Sequence, residues 1–164
     1  MVNLSIRPRG CGLEVGSGLG WVGKVAGSQA EVGGDAAAVP VFAVAGDTPE
    51  ERAPWVHRAK TQIAFYGTTP NYAFQFEDLG FEGVTKALGD KMKAGDLQGM
   101  ADTISDDMLE HFALVSTWDE MADRLKDRYE GTASRVVMYL TEEHMRKDPE
   151  SVDKWGQVAR ATRS

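Results

Sequence analysis

The spacing of apolar positions changes along the chain, and each change predicts an element. VPVFAVAG, residues 39–46, is continuously apolar, which predicts a strand covered on both faces, as in a parallel sheet. Pro40 stands where a strand can begin. DTPEE follows and reads as a helix start: Thr48 caps, Pro49 takes the first helical position, and Glu51 closes a capping box. Val56, Ala59 and Ile63 then line one face. Pro54 would clash with the preceding turn of a helix, so the expected helix begins near Ala53, with TPEE as a separate turn. Leu97, Met100, Ile104, Met108 and Phe112 recur at helical spacing. Phe112 to Val115 either finishes that helix or forms a short strand. TWDEMADRLKDRYEG is the clearest helix: Thr117 caps it, Glu120 completes a capping box, Met121, Leu125 and Tyr129 form its apolar stripe, and Gly131 stops it. Ser134 to Leu140 reads as a buried strand. The tail from Ser151 to Ser164 predicts a short helix using Val152, Trp155 and Ala159. Strand–helix, a broken middle, strand–helix, strand is an α/β order.

The first part of the chain has no such period. Half of the 18 glycines lie between Gly10 and Gly34, and each weakens a regular element. The expected organisation is a glycine-rich, loop-like segment over 1–38, an α/β unit over 39–140 and a tail over 141–164.

Composition narrows the function classes. With 164 residues the chain suits one domain. A net charge of −7 argues against a nucleic-acid backbone as partner. No apolar run is long enough for a bilayer, and the first ten residues lack the apolar core of a signal peptide. Cys11 is the sole cysteine, so the default expectation is a reducing cytoplasm.

Candidate chemistry is sparse. Gly18 to Lys24 matches both G-x-G-x-x-G and the GxxxxGK part of a P-loop, in which glycines let backbone approach phosphates. Val25 stands where a P-loop needs Ser or Thr, and no strand–helix frame surrounds the match, so a nucleotide site there is the weakest reading. His57, His111 and His144 form no HxxxH or HExxH pair and read as surface or half-buried histidines. Asp102, Asp106 and Glu110 fall at four-residue steps. One helix face would then carry three carboxylates, a solvated acidic face far more often than a cation site. No metal site is expected, and no GxSxG is present. The densest stretch is IAFYGTTPNYAF, residues 63–74. As structure it is a helix end at Tyr66 with Gly67 as C-cap and a new helix capped by Thr69. As function it is a loop offering Thr68 and Thr69 hydroxyls beside aromatic rings.

That stretch resembles the (I)AFY(A/G)STPxY motif of the luciferase-like monooxygenases, in their deazaflavin F420-dependent branch. Other pieces follow in the same order. VFAVAGDTPEE resembles the family's strand followed by G-D-T-x-E-E. AGDLQGMADTISDDMLEHFALV resembles G-x-W-x-x-M and then I-x-D-x-M-L-x-x-F-A-V-V. DRYEGTASRVVMYL resembles RY-x-G, D-R-V and a last strand. The resemblance covers roughly Val39 to Leu140. It implies a (β/α)8 barrel of which this chain holds an incomplete, C-terminal portion, with VFAVA, FALV and VVMYL as the sixth, seventh and eighth strands. It also implies an oxidoreductase that uses coenzyme F420 or FMN for hydride transfer or monooxygenation on a small organic substrate. Tyr66, Thr68, Thr69 and Tyr72 are the residues implied near cofactor or substrate. Ser116 and Thr117, between the seventh strand and a helix N-terminus, are a second candidate for a phosphate or carboxylate contact. No general acid or base is assigned. Strands cut from a barrel leave unpaired edges, so self-association or a partner chain is expected. A non-catalytic α/β interaction module is the alternative.

Overall fold

The computed structural model describes residues 2–5, 38–133 and 135–163. The glycine-rich stretch, including Gly18 to Lys24, lies outside the described residues. The described residues fall into two compact units: 2–5, 38–55 and 113–163 form the first, and 56–112 the second.

The first unit is built on a four-stranded sheet in the order β1-β4-β2-β3. Its strands are β1 (Val2–Ser5), β2 (Ala38–Ala45), β3 (Ala113–Ser116) and β4 (Arg135–Tyr139). β2 runs parallel to both neighbours, pairing Ala38–Phe42 with β4 and Phe42–Ala45 with β3. Val41, Phe42, Ala43, Val44 and Ala45 are all buried, as the continuous apolar run requires of a central parallel strand. Pro40 is the third residue of β2, not its first. Pairing with β3 begins only at Phe42, so Pro40 has a paired strand on one side alone, an edge-like position in which proline is tolerated.

Two features depart from the sequence reading. β1, which the sequence pattern did not single out, pairs antiparallel with β4. The strand order also differs from that of consecutive barrel strands, in which β3 would lie between β2 and β4. Here β2 is the middle strand. The chain leaves β2 toward β3 on one side and then crosses back to β4 on the other. That reversal is a topological switch point, the place where open α/β sheets offer a crevice at the C-terminal strand ends.

α1 (Pro49–Gly67) follows β2 and runs unbroken through Pro54, contrary to the expected start near Ala53. The start at Pro49 is fixed by its cap: the Glu51 N–H donates to Thr48 Oγ1 at 3.2 Å, and the Asp47 N–H donates to Glu51 Oε2 at 2.8 Å. Pro54 forfeits one early bond to the preceding turn without ending the helix. α6 (Trp118–Tyr129) joins β3 to β4 and buries Met121, Leu125 and Tyr129, the predicted stripe. Gly131 behind it takes φ +79°, the left-handed conformation that a helix stop uses. The tail forms two helices, α7 (Thr141–Lys147) and α8 (Ser151–Ala161). In α8 the inward positions are Ser151, Trp155 and Val158, with Thr162 buried at the C-cap, whereas Val152 is exposed.

The second unit is helical. After α1 come a 3-10 turn (Pro70–Tyr72), α2 (Ala73–Glu77), α3 (Val84–Lys93), α4 (Leu97–Thr103) and α5 (Asp106–Phe112). The expected single helix from Leu97 is therefore two. Ile104 is extended, Asp96 Oδ1 caps α4 through the Gly99 N–H at 2.8 Å, and Ser105 Oγ caps α5 through Met108 N–H at 3.1 Å. Leu97, placed on the apolar stripe by spacing, is 65% exposed. Gly67 is no left-handed cap. It is the last, buried residue of α1, and a Cβ there would lie 2.6 Å from Leu88 Cδ1 and 3.0 Å from Phe76 Cε2. Close packing selects it, not a positive φ.

Candidate functional site at the strand ends

Because β2, β3 and β4 are parallel, their C-terminal ends share one edge of the sheet. Three connections leave there: Gly46–Thr48 after β2, Thr117 after β3, and Leu140 after β4. The first two are tied by the Gly46 N–H donating to the Ser116 carbonyl at 3.2 Å. Ser116 is buried, and its hydroxyl donates to Glu120 Oε2 at 3.2 Å. Glu120 thus serves the strand end instead of completing a box with Thr117. Thr117 is the N-cap of α6, but its side chain makes no capping bond. Leu140 takes φ +73°, a strained conformation for a branched residue, and its carbonyl accepts from the His144 N–H at 2.9 Å. Thr141 is buried and its hydroxyl donates to the Met138 carbonyl at 3.1 Å.

Beside these ends lies an aromatic cluster that the sequence reading did not assemble. His144 of α7 is stacked on Trp55 of α1, ring centroids 4.3 Å apart at 27°. Trp118, the first residue of α6, lies 5.5 Å from His144 and 4.9 Å from Trp155 of α8. Three of the chain's four tryptophans meet here. Lys147 Nζ stands 5.5 Å from the Trp55 ring and Lys154 Nζ 5.3 Å from Trp118, within cation–π range. Trp155 is 1% exposed and its Nε1 has no hydrogen-bond partner. His144 is 6% exposed, so it is neither a surface nor a half-buried histidine. Burial pushes its pKa down, against the upward pull of Asp148 and with a further downward push from Lys154. The imidazole is thereby held neutral at neutral pH. The signal available in the sequence was Trp118 directly behind a strand and the His144–Asp148 spacing. Neither shows which helices meet.

The other predicted residues lie in the second unit. Tyr66 and Tyr72 are edge-to-face at 6.4 Å, and Phe65, 55% exposed, stands edge-on to Tyr66 at 6.1 Å. The Thr68 hydroxyl is turned back to the Phe65 carbonyl at 2.7 Å. Thr69 is the N-cap of the 3-10 turn without a side-chain cap bond. Tyr66, Thr68, Thr69 and Tyr72 are therefore brought together as an aromatic–hydroxyl group in which Tyr66 and Thr68 are half-buried and Thr69 and Tyr72 exposed, while Ser116 and Thr117 belong to the sheet edge of the first unit.

The acidic triplet is split: Asp102 is on α4, Asp106 and Glu110 are on α5, and Asp106 pairs with Lys60 Nζ at 2.7 Å. Among the described residues no group of three or more His, Cys, Asp or Glu side chains could hold a metal ion, and no helix is long and apolar enough to cross a membrane.

Known proteins add the family. The chain is 35% identical over 97 residues to the uncharacterized proteins Mb1395 of Mycobacterium bovis and Rv1360 of Mycobacterium tuberculosis. Each match covers 59% of this chain and 28% of the relative. No solved structure matches at a significant level. The sequence model for luciferase-like monooxygenase matches residues 24–135, more than half of the chain, and with it the order of motifs from VFAVAG to DRYEG. The chain belongs to the luciferase-like monooxygenase family.

Proposed function

We propose that this chain contributes to the cofactor and substrate site of an oxidoreductase that uses coenzyme F420 or FMN on a small organic substrate. The observation that carries the reading is the shared C-terminal edge of β2, β3 and β4, with Ser116 and Thr117 at the start of α6, in a chain of this family. Either cofactor supplies the redox chemistry, hydride transfer or, for the flavin, oxygenation. The protein's share is to hold and shield it. The Thr117 hydroxyl makes no capping bond. With the N–H groups that open a 12-residue helix, it suits a phosphate, an anion that helix N-termini favour. Tyr66 and Tyr72, with Thr68 and Thr69, belong to the second unit and are a candidate in their own right for a ring and its polar substituents. The F420 branch rests on IAFYGTTPNY alone. We place the chain among the C-terminal strands of a family barrel, and its β2-centred strand order argues for rearrangement or completion by another chain. Among the described residues β3 pairs only with β2, so its outer edge is the place for a second copy or a partner. The reading places the reaction in the cytoplasm.

Fluorescence titration with F420 and with FMN tests the cofactor. Micromolar binding is expected. Thr117→Val should weaken it about fivefold, the equivalent of one hydrogen bond of about 1 kcal/mol. No binding of either cofactor at high micromolar concentration would overturn the reading and favour a non-catalytic α/β module.

A further inference from the structure

His144 is the buried centre of a cluster to which four helices contribute. α1 and α6 face it with the indole rings of Trp55 and Trp118. α7 brings Asp148, whose Oδ2 is 3.8 Å from Nε2. α8 brings Trp155 and the Lys154 ammonium. The surrounding charges are largely committed elsewhere. Lys147, over Trp55, is held by Glu143 at 2.7 Å, and Lys154, over Trp118, reaches Asp47 Oδ2 at 3.9 Å. A proton on the imidazole would thus add a third cation beside two ammonium groups. Its counter-charge is Asp148, beyond hydrogen-bond length.

We propose that His144 is a proton-operated latch: neutral, it stacks on Trp55, packs against Trp118 and closes the cluster beside the C-terminal ends of β2, β3 and β4; protonated, it opens the cluster. The device stands apart from the cofactor reading and would operate in any role the strand ends serve. Its direction follows from burial. A neutral imidazole is tolerated among indoles, whereas a charged one draws water in. The closed state is complete above the ordinary histidine value of about 6.5 and is lost as the pH falls below it. Opening would expose Trp155, whose indole N–H has no partner in the closed cluster.

Tryptophan emission and near-ultraviolet circular dichroism of the full chain, followed from pH 8 to pH 5, test this. NMR titration of the His144 ring and of the indole N–H signals accompanies them. The expected result is a reversible transition with a midpoint below about 6.5, a red shift of the emission, faster exchange of the Trp155 N–H, and loss of the transition in His144→Phe. An unchanged transition in His144→Phe would overturn the latch, as would a His144 midpoint at or above the ordinary value, or indole signals indifferent to its titration. Should His144→Phe fail to fold, the wild-type NMR titration decides alone.

Discussion

Two glycines in helices of the second unit should respond to the same substitution with opposite signs. At Gly67 a Cβ would lie 2.6 Å from Leu88 Cδ1 and 3.0–3.1 Å from two atoms of the Phe76 ring. Leu88 and Phe76 are buried, and Phe76 is itself packed on Phe112 at 4.8 Å, so none of them can move away cheaply. Overpacking of this kind costs about 1–3 kcal/mol. The narrower unfolded ensemble of alanine returns about 0.4–1 kcal/mol. Gly67→Ala should therefore lose about 1–2 kcal/mol, or roughly 2–8 °C in Tm for a chain of this size. Gly89 lies inside α3 with no positive φ, and a Cβ added there would meet nothing within 4 Å. There only the helix-propensity and unfolded-state gains remain, and Gly89→Ala should be stabilised by about 0.5–1 kcal/mol. Thermal melts at 222 nm, with urea melts to check the m-value, measure both. A Gly67→Ala protein as stable as wild type would refute the close-packing argument. It would restore the reading of Gly67 as an ordinary helix end.

Leu125, fully buried in α6, should cost about 2–5 kcal/mol as Leu125→Ala in a urea melt. Asp96 caps α4, and the Gly99 N–H, with lesser help from Lys91, holds its carboxyl below the usual range. Its contribution to stability is present above the ordinary carboxylate value and lost as pH falls through the lowered one. Asp96→Asn should keep the cap and flatten the urea midpoint below about pH 4. The side of β3 that pairs with no strand among the described residues should produce concentration-dependent self-association in light scattering. A monodisperse monomer at every concentration would remove that role for the edge.

Periodicity carried much of the secondary structure. The continuous apolar run made β2 a covered strand, and Met121, Leu125 and Tyr129 gave α6 its buried stripe. Where local signals compete, spacing alone could not decide. Ile104 keeps helical spacing, yet the Asp96 and Ser105 caps divide the segment in two. Pro54 argued for a helix break, yet the Thr48–Glu51 cap starts α1 upstream of it. In α8, Val152 fitted an apolar face by hydrophobicity, but the helix turns Ser151 inward instead, with Thr162 buried at its C-cap.

By itself the sequence determined the family, through an ordered set of local motifs, and the α/β character, because both depend on residues near each other along the chain. The segment before Ser116 and Thr117 it left open between a helix end and a strand; the structure makes Ser116 the last residue of β3 and Thr117 the N-cap of α6. The tertiary structure decided the strand order and the His144 cluster. Strand order depends on which edges pair across long separations, and the apolar run of β2 is equally satisfied by a barrel neighbour or an open-sheet one. Trp55, His144 and Trp155 are each ordinary residues of their own helices. They become one cluster only when two crossovers and the helices after β4 gather beside the same strand ends, and that convergence has no local period to betray it.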